Sequence, residues 1–414
     1  MSTIRTLHVT RTANSNLQNR INISIIFNYI REHGPMYRAQ IAKDLRLSAP
    51  AVSRAIENLI EDGYVIETEK IRTESGKKAA RVIVNSDKGF VIGVDLMKEP
   101  IRIAVSNFNG EILSEFDCFN MTDDIDLEGE LIAEIRRIVK LQRAPRDLKA
   151  ICIGIPAIVD SSGSVTSAIL YENLEGKNLK KSLEETFDVP VYAENDANLS
   201  ALAECEYGAG KDSRSFVFVE VGSGIGAGII LDRNLYRGFR GAAGEIGFSL
   251  LDATGLSYQP KRKGHFEDRA SIDAIRERAV AAATKARRSI LLSMADGKTA
   301  KITPALVCQA AVAGDKSCRA ILSDVVELLS AMIIDIVLIL DPERIVLGGE
   351  LFHLPEAESL FVQPIREMLS KAVPFEIPQI VLSTLHENAV VVGAAHMAVE
   401  SLLVGVYPYK IESA

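Results

Sequence analysis

The sequence predicts an α/β protein in two parts: a small helical head ending in a β-hairpin, and a much larger body of alternating strands and helices. Three observations carry this reading. Apolar residues recur at helical spacing as far as residue 62 and then give way to two short β-rich runs. Beyond Gly89, short apolar runs rich in β-formers alternate with helical patterns, which argues mixed sheets covered by helices. Charge divides at the same place, with a formal +5 over residues 1–90 and −13 over the rest, for a total of −8. A basic head on an acidic body suggests that the head meets a polyanion while the body does something else.

Composition narrows the class. At roughly 100–200 residues per domain, a chain of 414 residues predicts two to four domains. A hydrophobic content of 47% and a charged content of 25%, with no low-complexity tract, exclude a disordered or collagen-like chain. The longest apolar run, residues 325–340, is interrupted by Glu327 and Asp335 and reads as a buried helix, not a membrane span. Residues 1–16 are polar and lack the apolar core of a secretory signal, so a cytoplasmic protein with no membrane partner is expected. The cysteines, Cys118, Cys152, Cys205, Cys308 and Cys318, form no Cys-x-x-Cys pair. They read as reduced, mostly buried thiols, without a disulfide framework or a thiolate metal site.

In the head, Ile21, Ile25, Ile26, Tyr29 and Ile30 mark a first helix over residues 17–32, stopped by His33-Gly34-Pro35. A second helix over 38–45 puts Ile41 and Leu45 on one face and offers Arg38 and Gln40 as DNA contacts, which the third helix and wing extend through Ser48, Pro50, Ser53, Arg54, Arg72, Lys77, Lys78 and Arg81. Ser48 is placed to cap a third helix running to about Asp62, with Gly63 ending it. Val52, Ala55, Ile56, Leu59 and Ile60 form its core face, leaving Pro50, Ser53, Arg54 and Glu57 outward. Small or basic side chains at such an N-terminus suit a helix entering the major groove, where the first turn meets base edges and backbone amides meet phosphate. Residues 64–70 and 80–84 then read as strands of a wing whose tip carries Arg72, Lys77 and Lys78, with Arg81 just inside the second strand. The wing would supply sequence-independent phosphate attraction and the third helix base reading. The alternative is a three-helix bundle for protein contacts, its lysines a solvated loop.

In the body, strands are predicted at 90–95, 101–106, 150–155, 215–221, 227–231, 344–347 and 379–382, with turn signals at 107–110 and 232–234. No internal repeat is visible. Three segments could carry chemistry. Glu220-Val-Gly222-Ser-Gly224-Ile-Gly226-Ala-Gly228 joins two strands through a glycine-rich turn that would let backbone amides approach phosphate or sugar; a tight packed hairpin is the alternative. Glu194-Asn195-Asp196-Ala-Asn198 opens a helix reaching Gly208, and its Asn-Asp pair fits polyol hydroxyls, the Asp as a general base, or plain helix capping. Gly241-Ala-Ala-Gly244-Glu245-Ile-Gly247-Phe248 holds one carboxylate in a small-residue turn, and a lone Glu there is a weak signal.

Taken together these residues resemble the ROK family of repressors, open reading frames and sugar kinases, and the head is similar to its repressor branch of N-acetylglucosamine- and xylose-type regulators. The likeness runs through Gly93-Val-Asp95, Gly154-Ile-Pro156-Ala-Ile-Val-Asp160, Glu194-Asn-Asp-Ala-Asn198, Val221-Gly-Ser-Gly-Ile-Gly226, Tyr236-Arg-Gly238, Gly241 to Gly247, Ile345-Val-Leu-Gly348-Gly349 and Gly393-Ala-Ala395. Such a resemblance implies an actin/hexokinase-like (ribonuclease H-like) body of two lobes around a sugar cleft. The head would span 1–85, the first lobe 86–195 with 393–414, and the second lobe 196–392. It implies sugar binding by Asn195, Asp196, Glu245 and Glu267, with Asp196 matching the kinases' base.

Departures from the family pattern matter as much. The kinases carry a Gly-Gly-Thr phosphate loop after the first-strand Asp, but here Asp95 precedes Leu96-Met97-Lys98-Glu99-Pro100. Bulky residues and a carboxylate there disfavour phosphate, so Asp95, Gly222, Ser223, Gly224, Gly348 and Gly349 read as vestigial phosphate loops and Asp196 as a vestigial base. The family's zinc-binding His position is Phe248, and its three Cys positions fall at Tyr258, Pro260 and His265, so no metal or cofactor is expected. Phe248 also replaces a sugar-touching imidazole by an apolar ring, which points to an unusual sugar, an apolar derivative or a shifted pose. The family's tryptophan near Asn173-Leu-Glu-Gly-Lys177 has no counterpart.

The resulting expectation is a sugar-responsive DNA-binding regulator, a repressor, acting on an operator duplex as a homodimer or homotetramer. The alternatives are a sugar kinase with a regulatory head and a regulator answering to a partner protein.

Overall fold

The structure, a computed structural model, describes residues 15–68, 71–72, 78–122, 125–142, 147–160, 165–167, 179–250, 253–257, 263–285 and 289–406. Three helices open the chain: α1 (Ser15–His33), α2 (Arg38–Asp44) and α3 (Ala49–Glu61). Ile23, Ile26, Phe27 and Ile30 of α1 share a buried cluster with Val52, Ala55, Ile56 and Leu59 of α3. Ser48 caps α3 by accepting from the Ala51 amide at 3.4 Å, and Pro50 sits in the first turn, where a missing N–H costs nothing. Gly63, at φ +76°, takes the left-handed conformation that closes the helix. β1 (Val65–Glu67) then pairs antiparallel with β4 (Val82–Val84), and β2 (Ile71–Arg72) with β3 (Lys78–Ala79), setting Arg72 opposite Lys78. The wing tip at 73–77, including Lys77, lies outside the described residues.

The body holds two five-stranded sheets. The first comprises β5 (Phe90–Asp95), β6 (Arg102–Ser106), β7 (Ile112–Asp117), β8 (Leu148–Ile155) and β11 (Val191–Asn195), with helices α4 (Leu127–Leu141) and α5 (Leu179–Phe187) and a small β9 (Ile158–Val159), β10 (Val165–Ser167) ribbon between them in sequence. After α6 (Asp196–Tyr207), the second comprises β12 (Phe216–Val221), β13 (Ile225–Leu231), β14 (Asn234–Leu235), β15 (Arg344–Gly348) and β16 (Gln379–Leu382). Between β14 and β15 run α7 (Glu267–Ala270), α8 (Ile272–Lys285), α9 (Ile290–Met294), α10 (Pro304–Val312) and α11 (Lys316–Leu340). α12 (Gln363–Ala372) precedes β16, and α13 (Ala389–Val406) follows it.

The spatial orders are β11-β8-β5-β6-β7 and β14-β13-β12-β15-β16. In both, two antiparallel hairpin pairings lie on one side of the leading strand and two parallel ones on the other. The body is thus an architectural duplication with no visible repeat in sequence, because each copy requires a burial pattern and not particular residues. The predicted strands are all present. β7 and β11 were not predicted: β7 is amphipathic and half-exposed, and β11 ends in the Glu-Asn pair that reads as a helix start. Residues 325–340 fall in α11 with Val325, Leu329, Ile333 and Val337 buried. Among the described residues, no helix is long and apolar enough to cross a membrane.

Two helices organise the junctions. α13 packs on β5 and β8, with Gly93 and Gly154 so close to Val391 and Val390 that a Cβ at either would collide. Gly393 presses in the same way on the Leu199 carbonyl of α6. The head is joined to this layer by a continuous core: Tyr64 stands edge-on between Phe27 of the head, at 6.4 Å, and Phe108 of the body, at 5.6 Å.

Candidate functional site

A cavity of about 820 Å³ opens where the C-terminal ends of β5, β11 and β12 meet, lined by residues of both sheets' loops. Asp95, Asn195, Asp196, Glu245, Phe248 and Glu267, far apart in sequence, all contribute to its wall. So do Gly222, Ser223, Gly224 and Gly349, whereas Gly348 lies buried in β15 against the Phe218 ring.

The structure separates the Asn-Asp pair into two roles. Asn195 is the cap of α6: its Oδ1 accepts from the Asn198 amide at 3.1 Å and its Nδ2 donates to the Ala157 carbonyl at 3.3 Å. Asp196 is the first residue of the helix proper, 8% exposed, its carboxyl meeting amides of the helix end and, among the described residues, no other side chain. Burial, reinforced by Asp95 and Glu245, pushes its carboxyl up to about 7, against the pull of helix-end amides. Glu245 is likewise raised to about 7 by burial and by Glu267. Glu267 holds the glycine-rich turn, accepting from the amides of Ile225 at 2.9 Å and Gly264 at 2.7 Å with its two oxygens.

The segment after Asp95 does not resemble an open phosphate cradle. Asp95 Oδ1 accepts from the amides of Met97 at 2.8 Å and Lys98 at 3.3 Å, so backbone donors that could meet an anion are already engaged. Burial raises the Asp95 carboxyl to about 6. Lys98 pairs with Glu387, and Arg102 donates to Asn388, fixing this turn to the approach to α13.

Sequence reasoning passed over three acids. Glu220, at the end of β12, lines the cavity, and burial together with Asp196, Asp95 and Glu350 pushes its carboxyl well above the ordinary range. A lone charge in the apolar run Phe216-Val-Phe-Val-Glu220 was the available signal. Glu194 is buried and accepts from the Asn195 amide, from Asn198 Nδ2 and, at 2.5 Å, from Arg237 Nε, tying the loop after β14 to the end of β11. Glu204 of α6 is fully buried and accepts from the amides of Ala209, Thr384 and Leu385 and from the Ser383 hydroxyl.

The donor set does not fit a zinc ion at the family's position. Phe248 offers no ligand atom, Tyr258 and Pro260 fall outside the described residues, and His265 stands beside Gly255 with no cysteine near in sequence. Among the described residues no group of three His, Cys, Asp or Glu is arranged for a metal. The segment 173–177 also lies outside the described residues.

On the head, Gln40, Ser48, Pro50 and Arg54 are exposed and Ser53 is half-buried. Arg54 has no ion pair among the described residues. Arg38 differs: its guanidinium binds Glu67 at 2.8 Å and Glu57 at 3.5 Å. Arg81 stacks over the Tyr37 ring at 5.2 Å.

A capped third helix with a wing, set on a duplicated two-sheet body with an acid-lined cleft, defines a winged helix-turn-helix protein with an actin-like α/β body. Residues 18–66 match the winged helix-turn-helix DNA-binding profile, and residues 91–401 match that of the ROK family. The chain belongs to the ROK family. It is 30% identical to a xylose repressor of Caldicellulosiruptor bescii, over 94% of this chain and 98% of that protein. It is 26% identical to the DNA-binding transcriptional dual regulator NagC of Escherichia coli K12, over 95% and 96%. Among solved structures, a ROK family transcriptional regulator described as a homolog of the E. coli MLC protein shares the fold, at TM-score 0.78, 24% identity and coverage of 94% and 97%. A ROK glucokinase of Streptomyces griseus, in complex with glucose and AMPPNP, matches the body at TM-score 0.62 and 28% identity, covering 75% of this chain and 99% of that one.

Proposed function

We propose that this protein is a sugar-responsive transcriptional repressor. Residues 1–85 bind operator DNA, and a sugar or sugar derivative binds between a first lobe of 86–195 with 393–414 and a second of 196–392. The observation that carries the reading is the union in one chain of a capped, outward-facing α3 with a cleft that gathers Asp196, Glu245 and Glu267. The repressor names of full-length relatives support it.

Asp196 serves as the hydroxyl acceptor, Glu245 as a second acceptor, Glu267 as the group that fixes the turn against the sugar, and Asn195 as the cap that presents Asp196. Phe248 gives the sugar an apolar wall. Phosphoryl transfer is disfavoured because the amides after Asp95 are engaged and the side chains of Met97, Lys98 and Glu99 stand where a glycine loop would let phosphate approach the backbone. The protein works without zinc, since the donor set at the family's site has no thiolate, and His265 alone does not hold the ion. Two heads on a pseudo-palindromic duplex require a homodimer or homotetramer.

Effector binding shifts operator affinity only so far as the sugar distinguishes the two states. The test is fluorescence anisotropy on a labelled duplex from upstream of the protein's own gene, with unrelated competitor DNA and a panel of sugars. Specific binding released by one sugar is expected. Specific binding unaffected by every sugar would point to a protein partner, and ATP-dependent turnover of a hexose would point to a kinase.

A further inference from the structure

The cleft carries a charge imbalance that a neutral sugar does not match. Glu220 reaches its wall from β12, and no hydrogen bond or ion pair to it is present among the described residues. The charges it feels are those of Asp196, Asp95 and Glu350, all carboxylates. The lysine of the wall, Lys98, is engaged with Glu387. Asp196, more than nine-tenths buried, lines the same cavity and has no ion pair or side-chain hydrogen-bond donor among the described residues. A protein that confines two such acids side by side either keeps them protonated or meets them with a cation.

We infer that the effector carries a protonated amine, seated between Glu220 and Asp196, so that the ligand is an amino sugar with a free ammonium and not a neutral, N-acylated or phosphorylated one. This rests on the cleft's being a sugar site. An ammonium needs two or three oxygen acceptors in a loose arrangement, and charge-assisted bonds to it are about twice as strong as neutral ones. A metal ion would need a tighter ligand set than the described residues offer. A phosphate would add negative charge to a wall that already gathers Asp95, Asp196, Glu220 and Glu350 and would push their carboxyls higher still. A neutral hydroxyl could bond to one carboxyl but would leave both acids in their protonated form, whereas an ammonium draws them into the ionised form and gains charge-assisted bonds to both.

The test is calorimetric titration of the full-length protein at pH 7 with 2-amino and 6-amino hexoses of the gluco, galacto and manno series, each against its hydroxyl and N-acetyl counterparts. At least one free amine is expected to bind tenfold or more tighter than both counterparts, and Glu220→Gln to bring that ratio close to one. Glutamine keeps the shape and removes the repulsion, so the variant is expected to fold, with an unfolding temperature no lower than the parent's. Neutral or N-acetyl sugars binding as tightly as the amines would overturn this inference and leave the sugar cleft standing; so would an amine preference that survives Glu220→Gln. An absence of heat with every sugar would overturn both.

Discussion

Arg31 of the head and Glu400 of the last helix form a part-buried ion pair across the junction of head and body, Nη2 to Oε1 at 2.7 Å, with Asn28 Nδ2 on the other carboxylate oxygen at 3.1 Å. Glu400 lies on α13, whose first turn lines the cleft through Ala389 and Val390. α6 runs the same way, from Asp196 at the cleft to Tyr207, whose hydroxyl is 3.3 Å from Nδ1 of His396 on α13. Two helices locked together at Gly393 therefore connect the cleft to the head.

Removing the acid of that pair leaves the Arg31 side chain, 6% exposed, buried and unpaired. Glu400→Ala is expected to lower stability by about 3 kcal/mol in urea unfolding, the usual cost of orphaning a buried charge. It should also shrink the effector-induced change in operator affinity, since the head loses its hold on α13. Glu134→Ala, which breaks a surface pair with Arg137, serves as the control and should change neither by more than about 1 kcal/mol. Equal effects of the two would deny the junction any special role.

Asp196→Ala is expected to abolish the response to sugar while leaving operator affinity without sugar within about twofold, because the residue is remote from α3 and does not cap its own helix. Induction by sugar that persists in this variant would remove Asp196 from the site. Asn195→Ala should differ, losing the cap that holds the Asn198 amide, about 1 kcal/mol of stability, along with the presentation of Asp196.

The acids of the cleft make stability depend on pH in an unusual direction. Asp95 at about 6, and Asp196 and Glu245 at about 7, hold protons in the folded state that the unfolded chain has released above about pH 4. The folded state therefore binds more protons, and stability falls as pH rises from about 4 to about 7, the contribution being gone above that. Asp117 and Asp315 are shifted down and act in the opposite sense below pH 4, while His353, which burial lowers to about 4, opposes the fall between about pH 4 and 6.5 as one group against three acids. The unfolding temperature without ligand should drop between pH 5 and pH 8, and Asp196→Asn should flatten the slope. A rise over that interval in the parent protein would contradict the burial argument.

Much of this was legible in the residues. Helical spacing, the Ser48 cap and the Gly63 stop marked the head, and apolar runs marked the strands of both sheets. The duplication of the two sheets was not legible, since burial pattern repeats without identity. Glu220 also escaped, because its meaning comes from Asp95, Asp196 and Glu350 converging on it from other elements. Asn195 and Asp196 read alike as capping residues; both line the cavity, and only the hydrogen bond from the Asn198 amide assigns the cap to Asn195. Arg38 read as a DNA contact by position, with nothing in the sequence to show Glu57 and Glu67 closing on it.

The last contrast separates recognition from scaffolding in the head. Arg54 stands exposed on the outward face of α3, without an ion pair among the described residues, in the second turn beyond the Ser48 cap. Arg38 is held by two carboxylates, one on α3 and one on β1, and thus ties α2 to the wing. Arg54→Ala is expected to weaken operator binding by about 1–3 kcal/mol with unchanged thermal stability. If Arg54 reads a base, discrimination against altered operators falls with it; if it meets phosphate, the salt dependence of binding drops by about one unit instead. Arg38→Ala should act mainly through the fold, lowering the unfolding temperature by releasing two acids into mutual repulsion, with DNA affinity changing little once the protein is folded. Anisotropy titrations at several salt concentrations, paired with thermal unfolding of the same samples, decide the matter. A stable Arg38→Ala protein that no longer binds DNA would reverse the two assignments.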